Sequence, residues 1–251
     1  MLPPLRFTIH DYSFLMIPVE GGAFDMGDEV GDLWEACRPV HRVRVNSFYL
    51  AQYPVTQALW QAVMDEEWEH LQFAGAQRPM ERVSWDDAQV FLENLNRQSG
   101  EIFRLPTEAE WEFAARGGNP TPALPKGDGD AAQGIAAVHD SQANTLYAGS
   151  RRLKEVGWYE MNSHGETKPV GRKFPNELGL YDLSGNVWEW CEDQWHDNYN
   201  GALDDGSAWV DREQRSYRVY RGGWRPGHRY FYLGFRLALS LQSVGSRPAG
   251  L

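Results

Sequence analysis

Cysteine is nearly missing from this chain. Cys37 and Cys191 are the only two in 251 residues. Two thiols allow one bridge, and neither the spacing nor a secreted context favours it, so no disulfide framework is expected. Cys191 reads as a small buried hydrophobe. Long apolar runs are also lacking. None approaches the roughly 20 residues that span a bilayer. The start, Met1-Leu2-Pro3-Pro4-Leu5-Arg6, lacks the basic, apolar and small-residue order of a signal peptide. The expectation is no membrane insertion and, by default, a cytoplasmic location. The histidines, at positions 10, 41, 70, 139, 164, 196 and 228, form no i, i+4 pair and no Cys/His cluster, which removes the usual zinc patterns. No phosphate-binding glycine loop, no Gly-x-Ser-x-Gly elbow and no dinucleotide fingerprint is present. Basic residues are outnumbered, 24 against 35 acidic, for a net charge of −11, which argues against a nucleic-acid partner.

Aromatics are abundant: 11 Trp, 11 Tyr and 11 Phe, each able to bury roughly 150–250 Å². With 42% hydrophobic residues the chain can bury a sizeable core, as one large domain or two small ones. Its 25 glycines and 14 prolines predict many turns and short elements. Residues 41–45 alternate polar and apolar, as a half-buried strand does, and 48–53 form a second strand. Thr56, Ser84 and Thr107 are helix starts, the last two with Asp87 and Glu110 in capping-box positions. Ala88, Phe91, Leu92 and Leu95 share one helical face, and Gly100 and Gly117 suit the stops. Residues 119–134 read as an exposed loop. Residues 218–220 and 233–239 are closing strands. No internal repeat is visible.

Acidic residues gather at two helix starts, Asp86/Asp87 and Glu108/Glu110/Glu112, where they complement the helix dipole. From 212 onward the balance reverses: Arg212, Arg215, Arg218, Arg221, Arg225, Arg229, Arg236 and Arg247 face Glu213 alone. Those arginines make a basic, aromatic surface for an acidic or planar ligand, or they pair with the acidic body of the same domain. Within Gly179-Leu180-Tyr181-Asp182-Leu183-Ser184-Gly185-Asn186-Val187-Trp188-Glu189-Trp190, the two indoles share one face of a strand and Glu189 takes the other. A carboxylate there needs a partner when buried: a cation, an arginine or turn amides.

That segment resembles the signature of the formylglycine-generating enzyme (sulfatase-modifying factor) superfamily. Further blocks follow in the family's order: Gly21-Gly22-Ala23-Phe24-Asp25-Met26-Gly27, Pro54-Val55-Thr56, Pro79-Met80-Glu81-Arg82-Val83-Ser84-Trp85, Arg104-Leu105-Pro106-Thr107-Glu108-Ala109-Glu110-Trp111-Glu112, Arg221-Gly222-Gly223 and Gly234-Phe235-Arg236. The resemblance implies one α+β domain over residues 1–251, with an irregular C-type-lectin-like fold. Short antiparallel sheets, two or three helices, much loop and a flexible tail at 242–251 are expected. The family's enzymes bind copper and oxidise a substrate cysteine with a cysteine pair placed between the last two blocks. Here that interval, 224–233, is short and holds no cysteine, so the oxidase reaction is not expected. The related sulfoxide synthases take iron-binding histidines largely from an added helical domain, which this sequence does not show. The resemblance also implies a structural calcium, not a required cofactor, held by backbone oxygens near Ser184, Gly185 and Val187 and by the Glu189 carboxylate.

The C-terminal stretch Arg225-Pro226-Gly227-His228-Arg229-Tyr230-Phe231-Tyr232-Leu233-Gly234-Phe235-Arg236-Leu237-Ala238-Leu239 is similar to a narrower group, the variable proteins of diversity-generating retroelements. His228, Tyr230, Phe231 and Tyr232 stand where that group's template has asparagines, and all four are reachable by adenine mutagenesis. Consecutive aromatics cannot share one strand face, so a core strand leaves at least one exposed unless both faces are covered. The resemblance implies a non-catalytic protein that binds a protein ligand through Trp224, Arg225, His228, Tyr230, Phe231 and Tyr232. An oxidoreductase with an altered site and an accessory scaffold module of a larger assembly are the alternatives. Oligomeric state stays open.

Overall fold

The computed structural model describes residues 2–29, 35–66, 68–119, 146–211, 217–223 and 232–241. Strand β1 (Leu5–Ile9) turns at His10 and Asp11 into β2 (Tyr12–Val19), with Ile9 opposite Tyr12. β3 (Gly22–Met26) and β4 (His41–Val45) form a separate antiparallel pair, and β5 (Phe48–Ala51) lies against β2. Helices α1 (Gln57–Met64) and α2 (Trp85–Ser99) precede the two-residue β6 (Phe103–Arg104) and α3 (Glu108–Ala115). Two single-turn helices, α4 (Leu153–Val156) and α5 (Glu160–Ser163), lead to β7 (Trp188–Gln194). β8 (Arg218–Arg221), β9 (Leu233–Phe235) and β10 (Ala238–Ser240) complete the described elements.

The main sheet has the order β1-β2-β5-β10-β6, and a smaller one has β8-β7-β9, with β7 and β9 parallel. The main sheet is a middle layer. Side chains alternate across a strand, and here the two faces feed two cores. Met16, Tyr49, Ala51, Leu237 and Leu239 enter one, with Trp60 of α1 and Phe91 and Leu95 of α2. Ile17, Val19, Phe48, Leu50 and Ala238 enter the other, with Trp111 and Phe113 of α3 and Val43 and Val45 of β4. Strands covered on both sides read as near-continuous apolar runs, which is why 48–51 shows little alternation.

The three long helices start where their caps predict. Thr56 Oγ1 accepts from the Leu59 N–H at 3.1 Å. Ser84 and Asp87 exchange bonds of 3.0 and 2.8 Å, and Thr107 and Glu110 bonds of 3.1 and 2.9 Å. Each cap contributes about 1 kcal/mol. α2 buries Ala88, Phe91, Leu92 and Leu95 and stops at Gly100, φ 73°. The strand expected over 48–53 ends at Ala51, two residues short of its sequence-based limit. The strand expected over 233–239 divides into β9 and β10 because Arg236 turns inward between them. Residues 120–134 and 242–251 lie outside the described residues. Both cysteines are free thiols. No helix among the described residues is long and apolar enough to cross a membrane.

Candidate ligand-binding site

β7 places Glu189 inward while Trp188 and Trp190 stand half-buried on the opposite face. The partner of the buried carboxylate is an arginine. Arg236 Nη2 donates to Glu189 Oε1 at 2.8 Å and Arg236 Nε to Oε2 at 2.8 Å, and both residues are 0% exposed. Trp111 Nε1 donates to Oε2 at 2.8 Å. The rest of the guanidinium is taken by backbone oxygens of Ala51, Gln52 and Tyr181. Arg236 joins β9 to β10, so one ion pair ties the small sheet to the middle of the large one.

This arrangement bears on the calcium expected at the same turn. Ser184 Oγ accepts from the Ala148 N–H at 2.9 Å, and the Val187 N–H donates to the Gly185 oxygen at 2.9 Å. Asn186 clasps the backbone of Lys168 through both ends of its amide. The Glu189 carboxylate already faces a guanidinium and accepts three charge-assisted or indole bonds. Calcium takes six to eight oxygens, and a dication here would meet a positive neighbour at the one charged ligand proposed for it. The Glu189 carboxylate, held by Arg236 and Trp111, does not fit calcium. Among the described residues no group of three or more His, Cys, Asp or Glu is arranged to hold a metal.

Arg221 organises a second polar cluster. Its guanidinium pairs with Glu108 at 3.1 Å and with Glu112, and lies 3.3 Å from the Tyr199 hydroxyl, which donates to Glu108 at 3.1 Å. Burial works against the Glu112 charge, but Arg221, Arg116 and the Gly27 N–H hold its carboxyl below the usual range. Burial pushes the Cys37 thiol up despite the nearby Arg221, and raises Cys191 well above its ordinary value. Neither is the low-pKa thiolate that redox or nucleophilic chemistry needs. Of the arginines from 212 onward, Arg221 and Arg236 pair with the acidic body, and Arg218 lies over the Trp85 ring at 3.8 Å.

Of the candidate binding residues, Tyr232 is described, and it lies beside Trp188. Trp224, Arg225, His228, Tyr230 and Phe231 lie outside the described residues. Their flanks do not. A Cβ on Gly223 would come within 2.3 Å of the Trp188 ring, so only glycine packs there. On the far side, the Trp188 N–H donates to the Tyr232 oxygen at 2.7 Å. The chain leaves Trp188 at 223 and is back on it at 232. Tyr232 is half-buried. Its ring stacks on Phe73 at 6.1 Å with planes 8° apart, and its hydroxyl donates to the Gly165 oxygen at 2.8 Å. Tyr232 is thus fixed by its neighbours. Phe73 is itself held by its N–H donating to Glu81 Oε1 at 2.6 Å. Trp188 and Trp190 both meet Tyr220 edge-on, at 5.2 and 5.6 Å. Sequence reasoning missed Phe73 and Tyr220 as walls of this site. Neither belongs to a recognisable block, and only distant contacts bring them there.

Two buried aspartates set a pH dependence. Burial pushes Asp182 up to about 6, against the Gly171 N–H and Arg236. It pushes Asp193 up to about 7, against the Trp209 and Glu108 N–H groups. The folded state keeps these protons to higher pH than the unfolded chain does, whose aspartates titrate near 3.8. Their contribution to stability is complete below that value and is lost as pH rises through 6 and 7. Raising pH from 5.5 to 8 is expected to cost about 3 kcal/mol, a Tm drop of roughly 6–12 °C by calorimetry. Asp193→Asn, which cannot titrate, should flatten that slope.

The family model described as Sulfatase-modifying factor enzyme 1-like domain matches residues 13–241. Treponema denticola variable protein 1 superposes with a TM-score of 0.70 at 25% identity, over 96% of this chain and 100% of that one. Chaperone protein LppX of Paenibacillus barcinonensis is 29% identical over 262 residues, 82% of each chain. The formylglycine-generating enzyme of Thermomonospora curvata is 27% identical over 89% of this chain and 86% of the enzyme. With a family model spanning both cores and the Trp188 site, this chain belongs to the sulfatase-modifying factor enzyme 1-like domain family.

Proposed function

We propose that this chain is a non-catalytic binding protein of the variable-protein type made by diversity-generating retroelements, and that residues 224–232 carry its contacts to a protein ligand. The observation behind this reading is the meeting of Gly223 and Tyr232 on Trp188. A segment whose two flanks meet one tryptophan, Gly223 at its ring and Tyr232 at its backbone N–H, would be free to change side chains between them without disturbing the sheets. Aromatic and arginine side chains of the kind found at Trp224, Arg225, Tyr230 and Phe231 dominate binding hot spots. Tyrosine adds rigid contact area at low conformational cost. Tyr232, stacked on Phe73, serves as the fixed edge of the surface. The names of Treponema denticola variable protein 1 and chaperone protein LppX are in keeping with binding without turnover. Calcium has no part in this reading, because Glu189 serves Arg236.

The enzymatic alternative makes a different prediction. Protein loaded with copper or with iron is incubated in air with a cysteine-containing peptide, and the peptide is read by mass spectrometry for aldehyde or sulfoxide. The expected result is no catalysed product, because Cys37 and Cys191 are the only thiols and both are pushed up in pKa by burial. Multiple turnovers to the aldehyde would replace this reading with an enzymatic one.

A further inference from the structure

Away from Trp188, an open cleft of about 490 Å³ is lined by Lys154, Glu155, the 171–175 strip and Tyr181. Its charge is opposite to that of the chain. Residues 151–173 carry Arg151, Arg152, Lys154, Lys168, Arg172 and Lys173 against three acidic residues, in a protein of net charge −11. The single carboxylate in the lining is already neutralised: Glu155 pairs with Arg152 and accepts from Ser150 Oγ at 2.7 Å. Lys173 is fixed, with Nζ donating to the Lys154 oxygen at 2.7 Å and lying 4.1 Å from the centre of the Trp158 ring. The side chains of Lys154 and Arg172 make no hydrogen bond or ion pair with any described residue. Phe174 is 63% exposed, yet its N–H is tied to the Glu155 oxygen at 3.0 Å. Three cations and a bare phenyl ring are therefore held together with little internal compensation.

We infer that this cleft docks an acidic peptide segment of a partner protein. Its carboxylates would meet Lys154 and Arg172, and one apolar side chain would cover Phe174. The cleft's openness and exposed ring suit an extended segment better than an enclosed small molecule. The chain's net charge of −11 works against a long phosphodiester chain, whose binding depends on many phosphate contacts, more than against a short stretch with two or three carboxylates. No described residue of the Trp188 site lines this cleft, so the inference does not rest on the proposed function.

The experiment is fluorescence anisotropy with a labelled peptide carrying three Asp or Glu and one Phe. The charge-reversed double variant Lys154→Glu/Arg172→Glu is expected to weaken binding at least about tenfold, as loss of close interfacial charge pairs does. Its Tm should match the parent's, because neither side chain bonds to the fold. Raising salt from about 50 to about 300 mM should weaken the parent's binding several-fold. A lysine-for-acid version of the peptide should not bind. Equal binding by the double variant, or no binding up to about 1 mM, would overturn the inference. So would a single-stranded oligonucleotide that binds as tightly as the peptide.

Discussion

Arg236→Leu is expected to leave no cooperative unfolding transition in urea, or one weakened by at least about 4 kcal/mol. The native guanidinium makes two bonds to Glu189 and three to backbone oxygens of Ala51, Gln52 and Tyr181. Leucine would strand a fully buried carboxylate with only the Trp111 indole as a donor. Breaking one side of a buried ion pair costs about 3–5 kcal/mol, and each orphaned carbonyl adds about 1 kcal/mol or more. Total stability for a domain is only about 5–15 kcal/mol. The double variant Glu189→Leu/Arg236→Leu separates the two costs. It removes both charges and should recover part of the loss, because matched apolar pairs replace buried ion pairs well. Recovery should be incomplete, since the Ala51 and Tyr181 carbonyls still lose the guanidinium donor, while the Gln52 carbonyl keeps the Tyr181 N–H. A single variant as stable as the parent would mean that the pair does not join the sheets.

Local chemistry was legible in the sequence, and long-range pairing was not. Ser84 with Asp87 and Thr107 with Glu110 are contacts three residues apart, so their residue types alone fix the helix starts. The inward aim of Glu189 follows from its place between two tryptophans, but the identity of its partner does not. Arg236 is 47 residues away and meets it only because β9 runs parallel to β7. The calcium expectation arose there: the turn oxygens and the carboxylate were visible, and the arginine that neutralises the carboxylate was not. The hairpin β1–β2 was not anticipated. Residues 15–17 are an apolar run that serves two cores, and such a run carries no period to read. Tyr232 was singled out for its place in an aromatic run. Its packing on Phe73, 159 positions earlier in the chain, depends on the fold as a whole.

The second large effect is a contrast with the first. One change at Arg236 is expected to destroy the fold, whereas five simultaneous changes at Trp224, Arg225, His228, Tyr230 and Phe231 are expected to spare it. The reason lies in the anchors. Gly223 packs on Trp188, and Tyr232 is held by Trp188, Phe73 and Gly165. Both stay intact when the five positions change. The most direct measurement is a display library randomised at those five positions, scored first for folded display and then for binding to an unrelated target protein. The account predicts that most members display at the parent's level, with Tm values within about 2–4 °C of it, the shift of roughly 1 kcal/mol. It also predicts that selection yields binders about 100-fold or more tighter than the unselected pool, since a few aromatic hot spots supply that much. Loss of folded display by most members would contradict it, because those side chains would then belong to the core.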